Sequence, residues 1–223
     1  MLGPDSPEWK LLHGLRLRFE RALPPRMEPT LSIQEWIDGG KPLPPPHAVK
    51  RSILSAYASA FDTGTLIETG TYAGDMVWSM KDRFGRIVSI ELSEHLARRA
   101  GRRFQAFPHI AILHGDSGAL LPNLLSGISN RCLFWLDGHC SAGITAKGAT
   151  ATPVLQEIGA ILDHGIEDHV ILVDDARLFT GAGGFPDLQE LRDLVLSRRS
   201  EWDFSARNDV IRIHARQDVA SEF

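Results

Sequence analysis

Acidic residues stand at or just past the ends of five apolar runs in this 223-residue chain. They are Glu68, Glu91, Asp116, Asp137 and the pair Asp174 and Asp175. In an open α/β sheet, ligands bind beyond the carboxyl ends of the strands, so these acids are expected to meet at one edge. Crowded carboxylates repel one another unless a cation or hydrogen-bond donors are shared among them. The spacing therefore predicts a polar ligand site.

The apolar runs themselves predict the sheet that positions these acids. Five strands are expected at 65–69, 86–91, 110–114, 132–137 and 169–174, and helices at 75–83, 93–107, 118–125, 153–163 and 186–199. Continuous apolar strands that alternate with helices indicate a parallel sheet covered on both faces. Residues 202–207 and 210–215 flank Asn208 and Asp209, which is typical of an antiparallel hairpin. The predicted fold is α/β, a Rossmann-like doubly wound sheet of five parallel strands plus this C-terminal hairpin.

The chain divides into two predicted parts. Residues 1–46 form an N-terminal helical extension that ends in a Pro-rich linker at 39–46, and residues 47–223 form the Rossmann-like domain, which begins with a helix at 47–61. Apolar residues at helical spacing predict an amphipathic helix at 8–22 that packs on the domain or on a partner subunit. The alternative is a substrate-lid or dimerisation segment, so a homo-oligomer is among the expected partners.

Composition narrows the classes of partner and the compartment. A net charge of −4 and a pI near 6.1 do not indicate a general affinity for nucleic acid or an anionic membrane. No apolar run is long enough to span a bilayer, and the first residues lack the apolar core of a signal peptide. Cys132 and Cys140 are too few for a disulfide framework and are expected as thiols. The predicted location is the cytoplasm.

The stretch from Thr65 to Asp75 is expected to hold part of a nucleotide-like ligand. Gly70 and Gly74 allow backbone to approach a ligand closely, and a helix begins after them. Glu91 is placed to accept both hydroxyls of a ribose; the alternative is a cap of the next helix, a role that Ser93 suits better.

Asp116, just past the third strand, is placed to accept from the exocyclic amine of a purine. Here the alternative is capping of the following helix by Asp116 or Ser117.

Taken together, Glu68-Thr-Gly70-Thr-Tyr-Ala-Gly74, Glu91, Gly115-Asp116-Ser117, Asp137 and the hairpin resemble a class I S-adenosylmethionine-dependent methyltransferase over about residues 47–215. The pattern Glu-x-Gly-x-x-x-Gly differs from the dinucleotide fingerprint Gly-x-Gly-x-x-Gly. The resemblance implies S-adenosylmethionine as cofactor. The cofactor-binding residues that it implies are Glu68, Gly70, Thr71, Tyr72, Gly74, Glu91, Asp116, Ser117 and Asp137.

A second group of acids, Asp137, Asp174 and Asp175, is here named the acid rim. Its placement is similar to that in metal-dependent small-molecule O-methyltransferases of the catechol and macrocin types. That resemblance implies Mg²⁺ held by these three carboxylates, binding substrate oxygens and lowering the pKa of the attacking hydroxyl. The chain departs from the catechol pattern at Asp175, which Ala176 and Arg177 follow. The alternative is a hydrogen-bond network of Asp174 and Asp175 with Arg177 and His139.

His139 and Asp137 are the expected catalytic residues. Imidazole titrates near neutral pH, so His139 could accept the proton of a substrate hydroxyl; the alternative is a structural histidine. His114, His164 and His169 are interpreted as structural. The segments 138–151 and 181–184 are rich in small residues and are expected to gate the site.

The predicted function is methyl transfer from S-adenosylmethionine to a hydroxyl of a small-molecule acceptor, such as a sugar or a natural-product intermediate, with help from Mg²⁺. Oxygen is favoured as the methyl acceptor by the acid rim and His139. Two other classes stay open from the residues alone. One is a metal-dependent hydroxylase or hydrolase on a related fold, and the other is a non-catalytic cofactor-binding protein.

Overall fold

The structure is a computed structural model that describes residues 31–138 and 152–219. The predicted helix at 8–22, His139 and Cys140 lie outside the described residues, as does most of the segment 138–151. The described chain forms seven helices and seven strands. The helices are Ile33–Asp38 (α1), His47–Ala60 (α2), Asp75–Met80 (α3), Glu94–Phe104 (α4), Ser117–Leu125 (α5), Val154–Leu162 (α6) and Leu188–Arg198 (α7). The strands are Thr65–Thr69 (β1), Arg86–Glu91 (β2), Ile110–His114 (β3), Cys132–Leu136 (β4), Val170–Val173 (β5), Trp202–Arg207 (β6) and Val210–Ala215 (β7).

All seven strands join one sheet in the order β3-β2-β1-β4-β5-β7-β6. Strands β1 to β5 pair in parallel, whereas β7 runs antiparallel to both β5 and β6. The predicted fold class is therefore confirmed, including the terminal hairpin. The strand order reverses between β1 and β4, so the loops that follow these two strands diverge at the switch point where ligands bind in such sheets.

Helices cover both faces of the sheet, and each face has its own hydrophobic core. One core joins α1 to α4 with Leu66 and Trp135, and the other joins α5 to α7 with Ile67 and Phe134. Neighbouring residues of β1 and β4 thus belong to opposite cores, because successive side chains of a strand point to opposite faces. This double coverage explains why the strand sequences are apolar throughout.

Part of the predicted extension packs on the sheet domain. Trp36 in α1 is fully buried and belongs to the same core as α2, and its indole N–H donates to the carbonyl oxygen of Pro42. Ser32 begins α1 with a capping box, in which its hydroxyl accepts from the amide of Glu35 and the Glu35 carboxylate accepts from the amide of Ser32. The boundary at residue 46 stays a prediction.

Small differences in element length matter for the site. Strand β4 ends at Leu136 and β5 at Val173, one residue earlier than predicted, so the acid rim begins directly after both strands. The helices after β1 and β2 end at Met80 and Phe104, three residues earlier than predicted. None of the helices in the described parts of the chain is long and apolar enough to span a bilayer.

Candidate functional site

The glycine loop after β1 has the conformation that its sequence requires. Gly70 and Gly74 have φ angles of 85° and 79°, in the left-handed region that favours glycine. A Cβ atom at Gly70 would lie 2.3 Å from the carbonyl oxygen of Asp137. The loops after β1 and β4 therefore approach each other so closely that no larger residue fits between them. Tyr72 lies between the two glycines with a φ of 48° and is half exposed.

Glu91 at the end of β2 is buried and accepts hydrogen bonds from backbone amides of two neighbouring loops. One of its carboxylate oxygens accepts from the amide of Tyr72 at 2.7 Å, and the other accepts from the amide of Ser93 at 2.9 Å. Ser93 is the N-cap of α4, as predicted, and its hydroxyl accepts from the amide of Leu96. Each carboxylate oxygen has a further lone pair, so the same group is able to accept from ligand hydroxyls.

Glu68 lies beneath the loop and is fully buried in β1. Burial raises the pKa of Glu68 to about 8, although a hydrogen bond from the Ser89 hydroxyl opposes that shift. Ser89 also bonds the Thr71 hydroxyl at 2.5 Å, so a short chain of polar groups links Glu68 to the glycine loop. The structure thus places Glu68 and Thr71 where they position the loop.

Asp116 and Ser117 lie between the end of β3 and the first turn of α5. Asp116 is the N-cap of α5, and its carboxylate accepts from the amide of Gly118 at 2.9 Å. The capping alternative therefore describes one role of this side chain. Ser117 is buried, and its predicted contact with a purine stays a prediction, as does that of Asp116.

The acid rim comes together as the sequence predicted. Carboxylate oxygens of Asp137, Asp174 and Asp175 lie within 4.8 Å of one another, with Asp174 only 2% exposed. Asp175 has a φ of 56°, a left-handed conformation that is uncommon outside glycine and often marks a functional site. Its amide donates to the Asp174 carboxylate at 2.8 Å.

Two basic side chains offset part of the negative charge of this cluster. The Lys50 ammonium, from the first turn of α2, donates to Asp174 Oδ2 and lies 3.7 Å from Asp175 Oδ1. The Arg177 guanidinium donates to Asp175 Oδ1 at 2.8 Å and is also paired with the buried Asp209. The predicted pairing of Arg177 with the acids is confirmed for Asp175, whereas the part assigned to His139 lies outside the described residues.

The charges of Lys50 and Asp174 are linked. Burial alone would lower the pKa of the Lys50 ammonium, but the carboxylates of Asp174, Asp137 and Asp175 raise it above its ordinary value. Burial raises the pKa of Asp174, with Lys50 opposing and Asp175 adding to the shift. Lys50 therefore stays an ammonium at neutral pH, and the negative charge of the rim is shared by three acids.

The three carboxylates of the acid rim are suitable ligands for a divalent ion. The positive side chains already beside them oppose its binding. Three carboxylates within 4.8 Å are what a hard cation binds. However, the Lys50 ammonium already bonds the Asp174 carboxylate, and the Arg177 guanidinium bonds that of Asp175. A divalent ion would need both carboxylates and would be placed beside a fixed positive charge. The site as built therefore does not fit Mg²⁺ while Lys50 is in place.

Sequence reasoning missed three residues near the edge. Lys50 gives no local signal, because a lysine on the polar side of an amphipathic helix is usually solvated. His47, which begins α2, has both ring nitrogens buried without a hydrogen-bond partner among the described residues, and burial lowers its pKa. Glu157 did give a signal, since it interrupts the apolar stripe of α6 three residues after Val154.

Glu157 lies below the junction of β1 and β4. It is 1% exposed, and burial raises its pKa to about 7. The hydroxyls of Ser117 and Thr69 lie near enough to oppose that shift slightly, but its Oε1 makes no hydrogen bond of normal geometry with a described residue. A cleft of about 220 Å³, counting space open to solvent, is lined by Glu157, Gly138 and Asp174 among others. A carboxyl with a pKa raised to about 7 therefore lines the cleft beside the rim.

Comparisons with known proteins give a match in structure only. No protein-family model matches the chain, and no curated protein matches it in sequence. The O-methyltransferase TomG from Streptomyces achromogenes, solved with SAM, superposes with a TM-score of 0.56 at 15% identity over 90% of both chains. An O-methyltransferase from Bacillus cereus in complex with SAH gives 0.53 at 13% identity, covering 82% of this chain and 88% of that one.

The methyltransferase PaMTH1 from Podospora anserina, bound to SAH, gives a TM-score of 0.51 at 16% identity and covers 97% of this chain and 99% of that one. These TM-scores show a shared fold. At identities this low, the activity has to be inferred from the residues of the site. The chain has the Rossmann-like fold of class I methyltransferases.

Proposed function

We propose that this protein is an S-adenosylmethionine-dependent methyltransferase that acts on a hydroxyl of a small molecule. The observation that carries the proposal is the arrangement at the switch point. The glycine loop and Glu91 lie on one side of it, and the acid rim lies on the other. A cofactor bound in the first half would direct its reactive end toward the polar side chains of the second.

The residues of the first half suit this cofactor. Glu91 would accept the ribose hydroxyls, the backbone of Gly70 and Gly74 would approach the methionine part, and Asp116 and Ser117 would face adenine. The close approach of Gly70 to the Asp137 backbone supports this, because it places the loops after β1 and β4 next to each other. Bound S-adenosylmethionine would supply an activated methyl group. The fold comparisons support the same choice, since all three neighbours are solved with SAM or SAH.

The residues of the second half would prepare the acceptor. Methyl transfer mainly requires alignment of the acceptor oxygen and exclusion of water. His139 and Asp137 are proposed to accept the hydroxyl proton. A sugar or natural-product intermediate is the proposed acceptor class, in keeping with the involvement of TomG in tomaymycin synthesis. Action in the cytoplasm without nucleic acid or membrane, in a homo-oligomer, also stays a prediction.

Assistance by Mg²⁺ stays a prediction that the charge balance of the rim opposes. Asp137, Asp174 and Asp175 are the residues that would hold the ion, and Lys50 would have to withdraw from Asp174 first. We therefore assign no step of the reaction to a metal. Preincubation with EDTA tests this directly, because removal of an obligatory metal would lower the rate of methyl transfer.

A calorimetric titration with S-adenosylmethionine tests the proposal as a whole. We expect binding in the micromolar range by the wild-type protein in EDTA. Absence of binding at high micromolar cofactor, with and without Mg²⁺, would leave the metal-dependent hydroxylase or hydrolase as the better hypothesis. Binding without methyl transfer to any hydroxylated acceptor in a broad panel would favour a non-catalytic cofactor-binding protein. Mass spectrometry of small molecules that co-purify would identify candidate acceptors.

A further inference from the structure

The acid rim contains a cation that the protein itself supplies. Lys50 belongs to α2, which packs in the same core as α1, and its ammonium reaches Asp174 from a position 124 residues earlier in the chain. Its side chain is 17% exposed, while that of Asp174 is 1% exposed. The contact is therefore a largely buried ion pair and not one of the exposed pairs that contribute little.

This ammonium lies against two of the three carboxylates that a divalent ion would need. It donates to Asp174 Oδ2 and lies 3.7 Å from Asp175 Oδ1. Arg177 engages that same Asp175 oxygen at 2.8 Å. Two acids of the rim thus already have positive partners, and an additional ion of charge +2 would be repelled by both. Lys50 thus places a positive charge beside two of the carboxylates that a divalent ion would bind.

We propose that Lys50 is the resident cation of the acid rim and replaces a divalent metal there. An ammonium has three N–H donors, and the hydrogen bond to Asp174 uses one of them, so another is able to donate to an acceptor oxygen. A positive charge at that oxygen stabilises its deprotonated form. When the O–H bond breaks, the proton passes to Asp137 and the electron pair stays on oxygen. The part of this role that concerns the acceptor rests on the proposed function.

Binding of Mn²⁺ alone to the purified full-length protein tests the inference. Electron paramagnetic resonance would follow free Mn²⁺ in titrations of wild type, Lys50→Met and Lys50→Arg. We expect no binding below about 1 mM for wild type and Lys50→Arg. For Lys50→Met we expect affinity at least roughly tenfold higher, because three carboxylates then lack their ammonium. Asp174→Asn added to Lys50→Met should abolish the gain.

Lys81→Met is the matched control. Its side chain is 18% exposed and pairs with Asp82, so it resembles Lys50 in exposure and charge but lies away from the rim. This variant should bind Mn²⁺ no better than wild type. An equal gain in both methionine variants would overturn the inference, as would tight wild-type binding that Asp174→Asn abolishes. A folded Lys50→Met variant that gains no affinity would also overturn it.

The wild-type titrations keep the test decisive if Lys50→Met does not fold. They require neither S-adenosylmethionine nor an acceptor, so their result is independent of the proposed function. If cofactor binding fails while Lys50→Met gains Mn²⁺, the proposed function is wrong and the resident cation stands. If the cofactor binds and wild type also needs a divalent ion for turnover, the proposed function stands and the resident cation is wrong.

Discussion

The acids at the carboxyl ends of the parallel strands have different partners in the two halves of the site. In the half formed by β1, β2 and β3, Glu91 accepts from backbone amides, Asp116 caps a helix and Glu68 receives a serine hydroxyl. In the half formed by β4 and β5, the acid rim is balanced by Lys50 and Arg177. The first half thus relies on neutral donors close in sequence or on adjacent strands, and the second on charged side chains from other elements.

This difference suggests separate tasks. Backbone donors fix a carboxylate in place without cancelling its charge, which suits a group that must still accept from ligand hydroxyls. Cations that neutralise a buried cluster reduce its repulsion and leave a positive group beside the expected acceptor. Each of the following variants tests one side of this contrast.

The largest effect is expected at the buried ion pair of the rim. Lys50→Met should lower the free energy of unfolding by about 3 to 5 kcal/mol at pH 8, because it leaves Asp174 charged and uncompensated. The loss should shrink as the pH falls and Asp174 becomes protonated. Lys81→Met removes a lysine whose partner Asp82 is 84% exposed and should cost about 1 kcal/mol or less. Urea denaturation of both variants measures the contrast, and equal losses would contradict it.

Glu91→Ala should have the next largest effect, on cofactor affinity. Hydrogen bonds to a charged group contribute about 1.5 to 3 kcal/mol each, so losing both the loop contacts and the ribose contacts should weaken binding about 100-fold. Glu94→Ala is the control, since Glu94 is exposed and pairs with Arg98 on the surface of α4. Calorimetry with S-adenosylmethionine measures both. An unchanged affinity in Glu91→Ala would show that this half does not hold the ribose.

Glu157, at the junction of the two halves, should make stability depend on pH. Its pKa is raised from 4.5 to about 7 by burial, so the folded state holds a proton that the unfolded state releases between these values. The contribution of Glu157 to stability is therefore highest below pH 4.5, falls as the pH rises to about 7 and is constant above that pH. Glu157→Gln should remove this fall and gain on the order of 3 kcal/mol at pH 8.

The control for this prediction is Glu201→Gln, at an exposed turn. Thermal melts at pH 4.5 and pH 8 measure both variants. If Glu157→Gln were no more stable than wild type at pH 8, the carboxyl would have to be ionised and held by partners in the folded protein.

The smallest effect is expected where the two halves touch. Gly70→Ala and Gly40→Ala both place a side chain at a φ near +80°, which costs about 1 kcal/mol. Only at Gly70 does the new Cβ meet backbone, whereas at Gly40 nothing lies within 4 Å. Gly70→Ala should therefore cost about 2 kcal/mol more than Gly40→Ala in urea denaturation. A difference near zero would mean that the loops after β1 and β4 separate easily.

Local sequence was enough to predict the fold and to indicate where a ligand loop lies. Apolar runs fixed the strands, Asn208 and Asp209 marked the hairpin, and the glycine pattern after β1 indicated a ligand loop. These features depend on residues near one another in the chain, where periodicity and turn chemistry act. The cap at Ser93 was predictable for the same reason. Helix ends were less so, because the stop signals Gly85 and Pro108 lie a few residues beyond the observed ends of α3 and α4.

The balance of charge in the second half depends on the tertiary structure. Asp137, Asp174 and Asp175 were predicted to meet, because parallel strands end at a common edge. That Lys50 joins them could not be predicted, since 124 residues separate it from Asp174 and only the packing of α2 on the sheet brings it there. The sequence by itself thus determined which acids share the edge. The tertiary structure decided that an ammonium neutralises them, because a buried carboxylate takes whichever cation the fold places beside it.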